Sequence, residues 1–185
     1  RAALAEVDSL WRAQRAAVRE SEATVRSPAR QGFHTYSLPQ YAADGSVIAL
    51  YSDLNTPPQL VRLRNGVQEV LVARIGLVGD LQFHVRGNRV VWSEYEVDPR
   101  YAERNFLVVK RLDLETGRVT RLTYRSRYFG PALSPDGRRI VAVHFSERRV
   151  ATLVVLDAET GAELSRIPRV TETFLVTPAW TSGGN

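Results

Sequence analysis

Three histidines are the side chains of this sequence best suited to bind a metal ion: His34, His84 and His144. Imidazole is a frequent ligand of zinc and other transition metals, usually beside a partner in a short motif such as His-x-x-x-His. Here the histidines lie far apart along the chain, and there is no cysteine to join them. We therefore predict no metal site and no cofactor in this chain.

Side chains suited to nucleophilic or acid–base catalysis are present, but not in the patterns that catalysis uses. The Gly-x-Ser-x-Gly motif of a serine nucleophile is missing, and Ser134 belongs to a Ser-Pro-Asp-Gly turn instead. The aspartates of the Asp-Gly turns are expected to be structural, because no Asp-x-Asp-x-Asp-Gly calcium series occurs. We therefore predict that this chain is not an enzyme, and that four acids of one segment are solvated: Glu94, Glu96, Asp98 and Glu103.

Tyrosine and arginine, which are enriched at protein-binding hot spots, concentrate in two segments of the chain. The first is residues 93–105, SEYEVDPRYAERN, and the second is residues 124–129, YRSRYF. The alternative for both segments is that the side chains pack within the protein, and for the second segment we favour packing. The candidate partner-binding residues are Tyr95, Arg100, Tyr101, Arg104, Arg125, Arg127 and Tyr128.

Short apolar strands separated by turns surround these segments. Between Gly130 and Leu164, the turns Ser134–Gly137 and Asp157–Gly161 flank the apolar runs Ile140–Phe145 and Leu153–Leu156. Proline presets φ, aspartate can bond to the following backbone, and glycine accepts positive φ, so these residues favour turns. The β-branched runs between them favour strands. This stretch therefore predicts one four-stranded sheet.

The same order of aromatic residue, turn, glycine and apolar strand recurs along the chain. The turn glycines are spaced 42, 50 and 46 residues apart. A period of about 40 to 50 residues with several strands in each repeat is typical of a β-propeller. The glycines that mark the repeats are Gly45, Gly87, Gly137 and Gly183.

Residues 134–140, SPDGRRI, followed by Val155-Leu156-Asp157 and Thr160-Gly161, resemble the SPDG repeat of TolB-like (WD40-like) β-propellers. The resemblance covers roughly residues 32–185 and is sharpest in the third repeat. It implies an all-β chain, a propeller fragment of four-stranded antiparallel blades. The blades are expected at about residues 32–78, 79–128 and 129–174, with the start of a fourth at 175–185.

One N-terminal α-helix is predicted before the propeller, within residues 1–31. An apolar stripe at helical spacing runs through residues 2–25, and Ser27-Pro28 ends it because proline disfavours a helical residue before it. Such a stripe usually packs on its own protein or on a preceding domain, although a basic amphipathic helix can also lie on a membrane. The stripe consists of Leu4, Val7, Trp11, Val18 and Val25.

Composition excludes several classes of partner. The 185 residues carry a net charge of +5, with arginine at every basic position except Lys110. The arginines are scattered through all the repeats, without the basic cluster and stacking aromatics of a nucleic-acid site, so no nucleic-acid partner is predicted. No apolar run is long enough to cross a membrane. Three blades leave open strand edges, so the remaining blades are expected from the parent chain or from a second copy.

The resemblance implies a non-catalytic scaffold or binding module for protein or peptide partners. It also implies a periplasmic or cell-surface location in a bacterium. The alternative is an accessory propeller that gates substrate for a larger hydrolase or peptidase whose catalytic domain is not in this chain. A catalytic motif in the parent gene would favour the accessory role, because the fold alone does not define function.

Overall fold

The structure is a computed structural model that describes residues 32–76, 82–101, 105–146, 150–167 and 177–181. The described residues form twelve β-strands: β1 (His34–Tyr41), β2 (Val47–Asp53), β3 (Gln59–Arg64), β4 (Val67–Val72), β5 (Phe83–Arg86), β6 (Arg89–Val97), β7 (Asn105–Asp113), β8 (Val119–Arg121), β9 (Tyr128–Leu133), β10 (Arg139–Phe145), β11 (Ala151–Asp157) and β12 (Glu163–Ile167). Consecutive strands pair in antiparallel fashion in three sheets of four strands. We name these sheets blade 1 (β1–β4), blade 2 (β5–β8) and blade 3 (β9–β12).

The predicted all-β class and the four-stranded antiparallel blades are confirmed by these three sheets. The predicted N-terminal helix lies outside the described residues. Of the predicted fourth blade, the structure describes residues 177–181. Among the residues that are described, no helix is long and apolar enough to cross a membrane.

The predicted turn chemistry accounts for the sharp reversals between strands. In the β9–β10 turn, the Asp136 carboxylate accepts hydrogen bonds from the Ser134 hydroxyl and from the Arg138 backbone N–H. Gly137 follows at φ +69°, in the left-handed region that glycine enters without steric strain. In the β11–β12 turn, Asp157 accepts the backbone N–H of Thr160 at 2.8 Å. The turn aspartates therefore serve as acceptors for local backbone and hydroxyl donors.

The central strands carry continuous apolar runs whose successive side chains point to opposite faces, so blade 2 buries one face against blade 1 and the other against blade 3. The full burial of a leucine or isoleucine side chain stabilises the fold by about 1.5–3 kcal/mol. The core between blades 1 and 2 includes Ile48, Leu50, Leu60, Phe83, Trp92 and Leu112. The core between blades 2 and 3 includes Val91, Val109, Leu133, Ile140, Val154 and Leu156.

Arginines on the third strands of blades 1 and 2 fix the position of the following blade. Arg62 of β3 donates from Nη2 to the Leu114 carbonyl, at 2.7 Å, in the β7–β8 turn. Arg111 of β7 donates in the same way to the Ala158 carbonyl in the β11–β12 turn, and also pairs with Glu159 at 2.8 Å. The two junctions between blades thus share one type of contact.

Side chains of the innermost strands also reach the next blade. His84 of β5 accepts the Leu133 backbone N–H at Nδ1, at 3.1 Å. At the far side of blade 3, the indole N–H of Trp180 donates to the Ala132 carbonyl at 2.9 Å. The Arg139 guanidinium lies 5.0 Å from the centre of the Trp180 ring. The described part of the fourth repeat therefore packs directly on blade 3.

The β6–β7 hairpin extends into residues 93–105, the segment predicted to carry exposed binding side chains and solvated acids. Strand β6 continues to Val97, which pairs with Asn105. Residues 93–97 alternate between faces of the sheet, as a strand requires, although two of them are acidic. Residues 93–97 and Asn105 of this segment therefore belong to strands.

Candidate binding site between blades 2 and 3

A cleft of about 420 Å³ opens where the chain crosses from the outer strand β8 to the inner strand β9. Linker residues 122–126 form one wall, and residues 160–162 of the β11–β12 turn form another. Tyr128 and His144, from the first two strands of blade 3, complete the lining. The cleft therefore combines aromatic rings, hydroxyl groups and one arginine, Arg125.

The linker that forms the wall is held by hydrogen bonds to β7, beyond the end of β8. Its Ser126 exchanges two bonds with Leu107: the Leu107 N–H donates to the Ser126 carbonyl at 2.8 Å, and the Ser126 hydroxyl donates to the Leu107 carbonyl at 2.7 Å. The Thr123 hydroxyl accepts the Val109 N–H at 2.8 Å. Arg125 adopts φ +47°, which reverses the chain between these contacts. These bonds therefore fix the backbone of the linker and the hydroxyls of Thr123 and Ser126.

Tyr124 is the most exposed aromatic side chain of the cleft, at 68% of its full accessibility. Two guanidinium groups lie over its ring, that of Arg121 at 4.4 Å and that of Arg125 at 5.5 Å from the ring centre. Arg121 in turn pairs with Glu96 of β6 at 2.6 Å. A guanidinium over an aromatic face is attracted to it electrostatically. Tyr124 is thus an exposed ring with two cation–π contacts.

A polar network lies at the other wall of the cleft. The Tyr128 hydroxyl donates to Glu163 at 3.2 Å, and Glu163 forms an ion pair with Arg166 at 2.7 Å. Arg166 also lies 3.0 Å from Nδ1 of His144. Burial, with the nearby Glu163 carboxylate, raises the pKa of Tyr128, whereas burial and the Arg166 charge lower the pKa of His144. At neutral pH this wall therefore presents a protonated phenol and a neutral imidazole.

The predicted binding residues fall in two places. Arg125 and Tyr128 line the cleft, whereas Arg127 contributes backbone contacts, accepting the Phe145 N–H at its carbonyl, at 3.0 Å. Tyr95 lies at the exposed end of β6 and Arg100 in the exposed loop that follows. Tyr101, also exposed, is the last described residue of that loop, and Arg104 lies outside the described residues. Sequence reasoning named the YRSRYF segment but did not select Tyr124 or the supporting Arg121.

The acids of residues 93–105, which were predicted to be solvated, are mostly paired or buried. Glu94 pairs with Lys110 at 3.0 Å and accepts the Trp92 indole N–H, so it is held on the strand. Asp98 is buried, with 5% of its surface exposed, and accepts the Arg100 N–H at 2.9 Å. The prediction that these acids are solvated is therefore wrong for Glu94, which is paired on β6, and for Asp98, which is buried just after the strand. Glu96, also on β6, pairs with Arg121 at 2.6 Å. Glu103 lies outside the described residues.

The histidines occupy three different blades and have separate partners. His34 hydrogen-bonds through Nδ1 to the Gly32 carbonyl at 3.1 Å. His84 packs beside blade 3, where burial and the Arg86 charge lower its pKa. In the described part of the chain, no group of three or more potential metal-binding side chains comes together.

Comparison with known proteins gives likenesses of structure only. No protein-family model and no curated protein sequence matches the chain. A protein assigned as TolB from Agrobacterium tumefaciens is similar with a TM-score of 0.51 and 18% identity, over 72% of this chain and 45% of that one. The β-propeller domain of the Trilobed protease from Pyrococcus furiosus is similar with a TM-score of 0.52 and 13% identity, over 75% and 44%.

A puromycin-hydrolyzing peptidase from Mycobacterium tuberculosis is similar with a TM-score of 0.54 and 15% identity, over 76% of this chain and 22% of the peptidase. The chain thus spans less than half the length of each of these three structures. Identities this low show the fold alone. Together with the three four-stranded antiparallel sheets, these likenesses identify the fold as that of a partial TolB-like β-propeller.

Proposed function

We propose that this chain is a non-catalytic propeller module that binds a peptide segment of a protein partner in the cleft between blades 2 and 3. The observation that carries the proposal is Tyr124, an exposed ring of the cleft with cation–π contacts to Arg121 and Arg125. Tyrosine and arginine dominate binding hot spots. Because the linker backbone is already hydrogen-bonded in place, little backbone freedom would be lost on binding.

The lining of the cleft suits a peptide. Its volume of about 420 Å³ lies at the small end of the range for ligand pockets, about 300–1,000 Å³, and would accept one or two side chains. The hydroxyls of Thr123, Ser126 and Thr160 already donate their protons within the chain, so toward a peptide they can act only as acceptors for its backbone N–H groups. The neutral His144 and protonated Tyr128 add polar groups without net charge. A peptide with an apolar or aromatic residue flanked by polar ones fits this surface.

We further propose that the module works in the bacterial envelope, as TolB-like propellers do. The SPDG repeat and the likeness to the Agrobacterium protein support this location. The alternative role, an accessory propeller of a larger peptidase, is favoured by the likeness to a puromycin-hydrolyzing peptidase and to the propeller domain of a protease. A hydrolase domain encoded in the same gene would support the accessory role, and a signal peptide with further blades alone would support the adaptor.

The test of the binding site compares two tyrosines of equal exposure. Tyr124 and Tyr41 are each 68% exposed, but Tyr41 lies on blade 1, away from the cleft. Peptides selected by phage display against the 185-residue chain would be measured by calorimetry against Tyr124→Ala and Tyr41→Ala. We expect Tyr124→Ala to weaken binding by about 30-fold, the loss of a typical hot spot, and Tyr41→Ala to leave it unchanged. Equal binding by both variants would refute the site.

A further inference from the structure

A second cleft, of about 470 Å³, lies between the β5–β6 turn of blade 2 and the β9–β10 turn of blade 3. Residues 86–89 and 135–138 line it, so it shares no residue with the cleft at the linker. Between blades 1 and 2, the equivalent turns meet directly, with the Ala43 N–H donating to the Gly87 carbonyl at 3.2 Å.

The lining of the second cleft is strongly basic. It contains three arginines, Arg86, Arg89 and Arg138, against one carboxylate, Asp136. Asp136 keeps its negative charge and offsets one of the three arginine charges. The cleft therefore has an excess of positive charge.

The three arginines differ in how fully they are engaged. Arg89 donates to the Gly137 carbonyl at 3.0 Å and pairs with Glu159, so its charge is fixed at the junction. Arg86 makes one long contact, from Nε to the Pro135 carbonyl at 3.3 Å, which leaves its two terminal nitrogens for a ligand. Arg138 is exposed, and within the described residues its guanidinium has no hydrogen-bond partner. Two guanidinium groups from two different blades thus face one cleft with donors to spare.

We propose that this second cleft binds the carboxylates of an acidic peptide segment. A guanidinium donates two parallel hydrogen bonds to a carboxylate, and such charge-assisted pairs are among the strongest hydrogen bonds in proteins. A peptide backbone can approach closely, because no atom lies within 4 Å of the Cβ position of Gly87 or Gly137. No aromatic ring is among the residues that line the cleft, so a nucleotide base has no side chain to stack on, and a short acidic segment is the better match.

The experiment uses the 185-residue chain and a defined probe. The probe is an acetylated, amidated peptide, Gly-Glu-Glu-Asp-Glu-Gly, and its control is the same peptide with Gln and Asn in place of the acids. Binding is measured by calorimetry at low ionic strength, where charge interactions are least screened. We expect Arg138→Gln and Arg86→Gln each to weaken binding of the acidic peptide by about tenfold. Arg118→Gln, which removes an exposed arginine from the β7–β8 turn, should leave it nearly unchanged.

Each other outcome overturns the proposal. If the amide peptide binds equally well, or the acidic peptide does not bind, then carboxylates are not the ligand. If Arg118→Gln weakens binding as much as Arg138→Gln, the effect is one of overall charge. If inorganic phosphate or a DNA oligonucleotide displaces the peptide at lower concentration than free glutamate does, the site prefers phosphate. Tyr124→Ala should not affect this peptide, so failure here remains distinct from failure at the linker cleft.

Discussion

The close contact between Gly161 and Leu122 gives a sharp test of how blades 2 and 3 pack. Gly161 lies in the β11–β12 turn at φ +74°, and a Cβ added there would lie 2.0 Å from the Leu122 carbonyl oxygen and 2.6 Å from its carbonyl carbon. Both atoms belong to the backbone, so no side-chain rotation relieves the overlap. Gly161→Ala therefore requires that the turn and the linker move apart.

The magnitude follows from two separate contributions. An alanine in the left-handed region costs about 1–2 kcal/mol. Forcing an extra carbon into a packed interface typically costs a further 1–3 kcal/mol or so. We therefore expect Gly161→Ala to lower the free energy of unfolding by about 2–5 kcal/mol, a large part of the roughly 5–15 kcal/mol that a domain has.

The chain provides its own control for this substitution. Gly117 occupies the same place in the β7–β8 turn, after the same Glu-Thr pair, at φ +68°, but no atom lies within 4 Å of its Cβ position. Gly117→Ala should therefore carry only the backbone strain of about 1–2 kcal/mol. Urea unfolding of both variants, followed by circular dichroism, measures the difference. Equal destabilisation of the two variants would refute the close approach of blade 3 to the linker.

Three further predictions concern single contacts. Arg111→Met leaves the Ala158 carbonyl without its donor and should lower the free energy of unfolding in urea by about 1–3 kcal/mol; an unchanged value would contradict the role of this arginine. His84 accepts a hydrogen bond at Nδ1, and burial lowers its pKa. Its contribution to stability is therefore complete above pH 6.5 and is lost as the pH falls through the lowered pKa of the folded protein. In melting curves between pH 7 and 5, His84→Gln should lose less stability than the unsubstituted protein, and an identical pH dependence of the two would contradict this role of His84. Asp53 has a pKa of about 2, mainly because the Tyr51 hydroxyl donates to it, so its contribution is present above pH 3.8 and is lost towards pH 2. Asp53→Asn should remove that part of the acid sensitivity, and unaltered acid unfolding would argue against it.

Sheet architecture was predictable because its signals are local. The Ser-Pro-Asp-Gly turn works through contacts within five residues, from the Ser134 hydroxyl to the Asp136 carboxylate and the Arg139 N–H. Gly137, directly after Asp136, has a φ of +69°. The repeat of such turns at intervals of 42 to 50 residues was enough to predict four-stranded blades. These contacts join residues that are close in the sequence, so the prediction needed no contact between distant parts of the chain.

The β6–β7 hairpin was mispredicted because the partners of its charged residues are distant in sequence. Glu94 and Glu96 indicate a solvated loop when considered alone. In the fold they lie on a strand, and each pairs with a basic residue of the same sheet, Lys110 or Arg121. In a strand, Ser93 and Tyr95 lie on one face of the sheet and Glu94 on the other, and this alternation was the available signal for a strand. The charge of the two glutamates outweighed it in the prediction.

The two clefts were beyond prediction from one repeat, because each is formed by two blades. The linker cleft needs the β11–β12 turn to approach the linker, and the basic cleft needs two turns held apart. A comparison of repeats does contain a partial signal. Arg62 and Arg111 occupy equivalent positions on third strands, and both donate to a turn of the next blade. Aligned repeats would therefore have suggested a contact between blades, although not its geometry.

Both clefts lie at the junction that has the most cross-blade hydrogen bonds among the described residues. His84, Arg89, Ser93 and Arg111 of blade 2 each bond to the backbone of blade 3. Contacts of this kind fix the distance between the walls of a cleft, which keeps binding side chains in one arrangement before a ligand arrives. Blade 3 lacks an equivalent arginine, because Val155 stands at the position of Arg111 in the aligned strands. In the described part of the fourth repeat, its contact with blade 3 uses Trp180 instead.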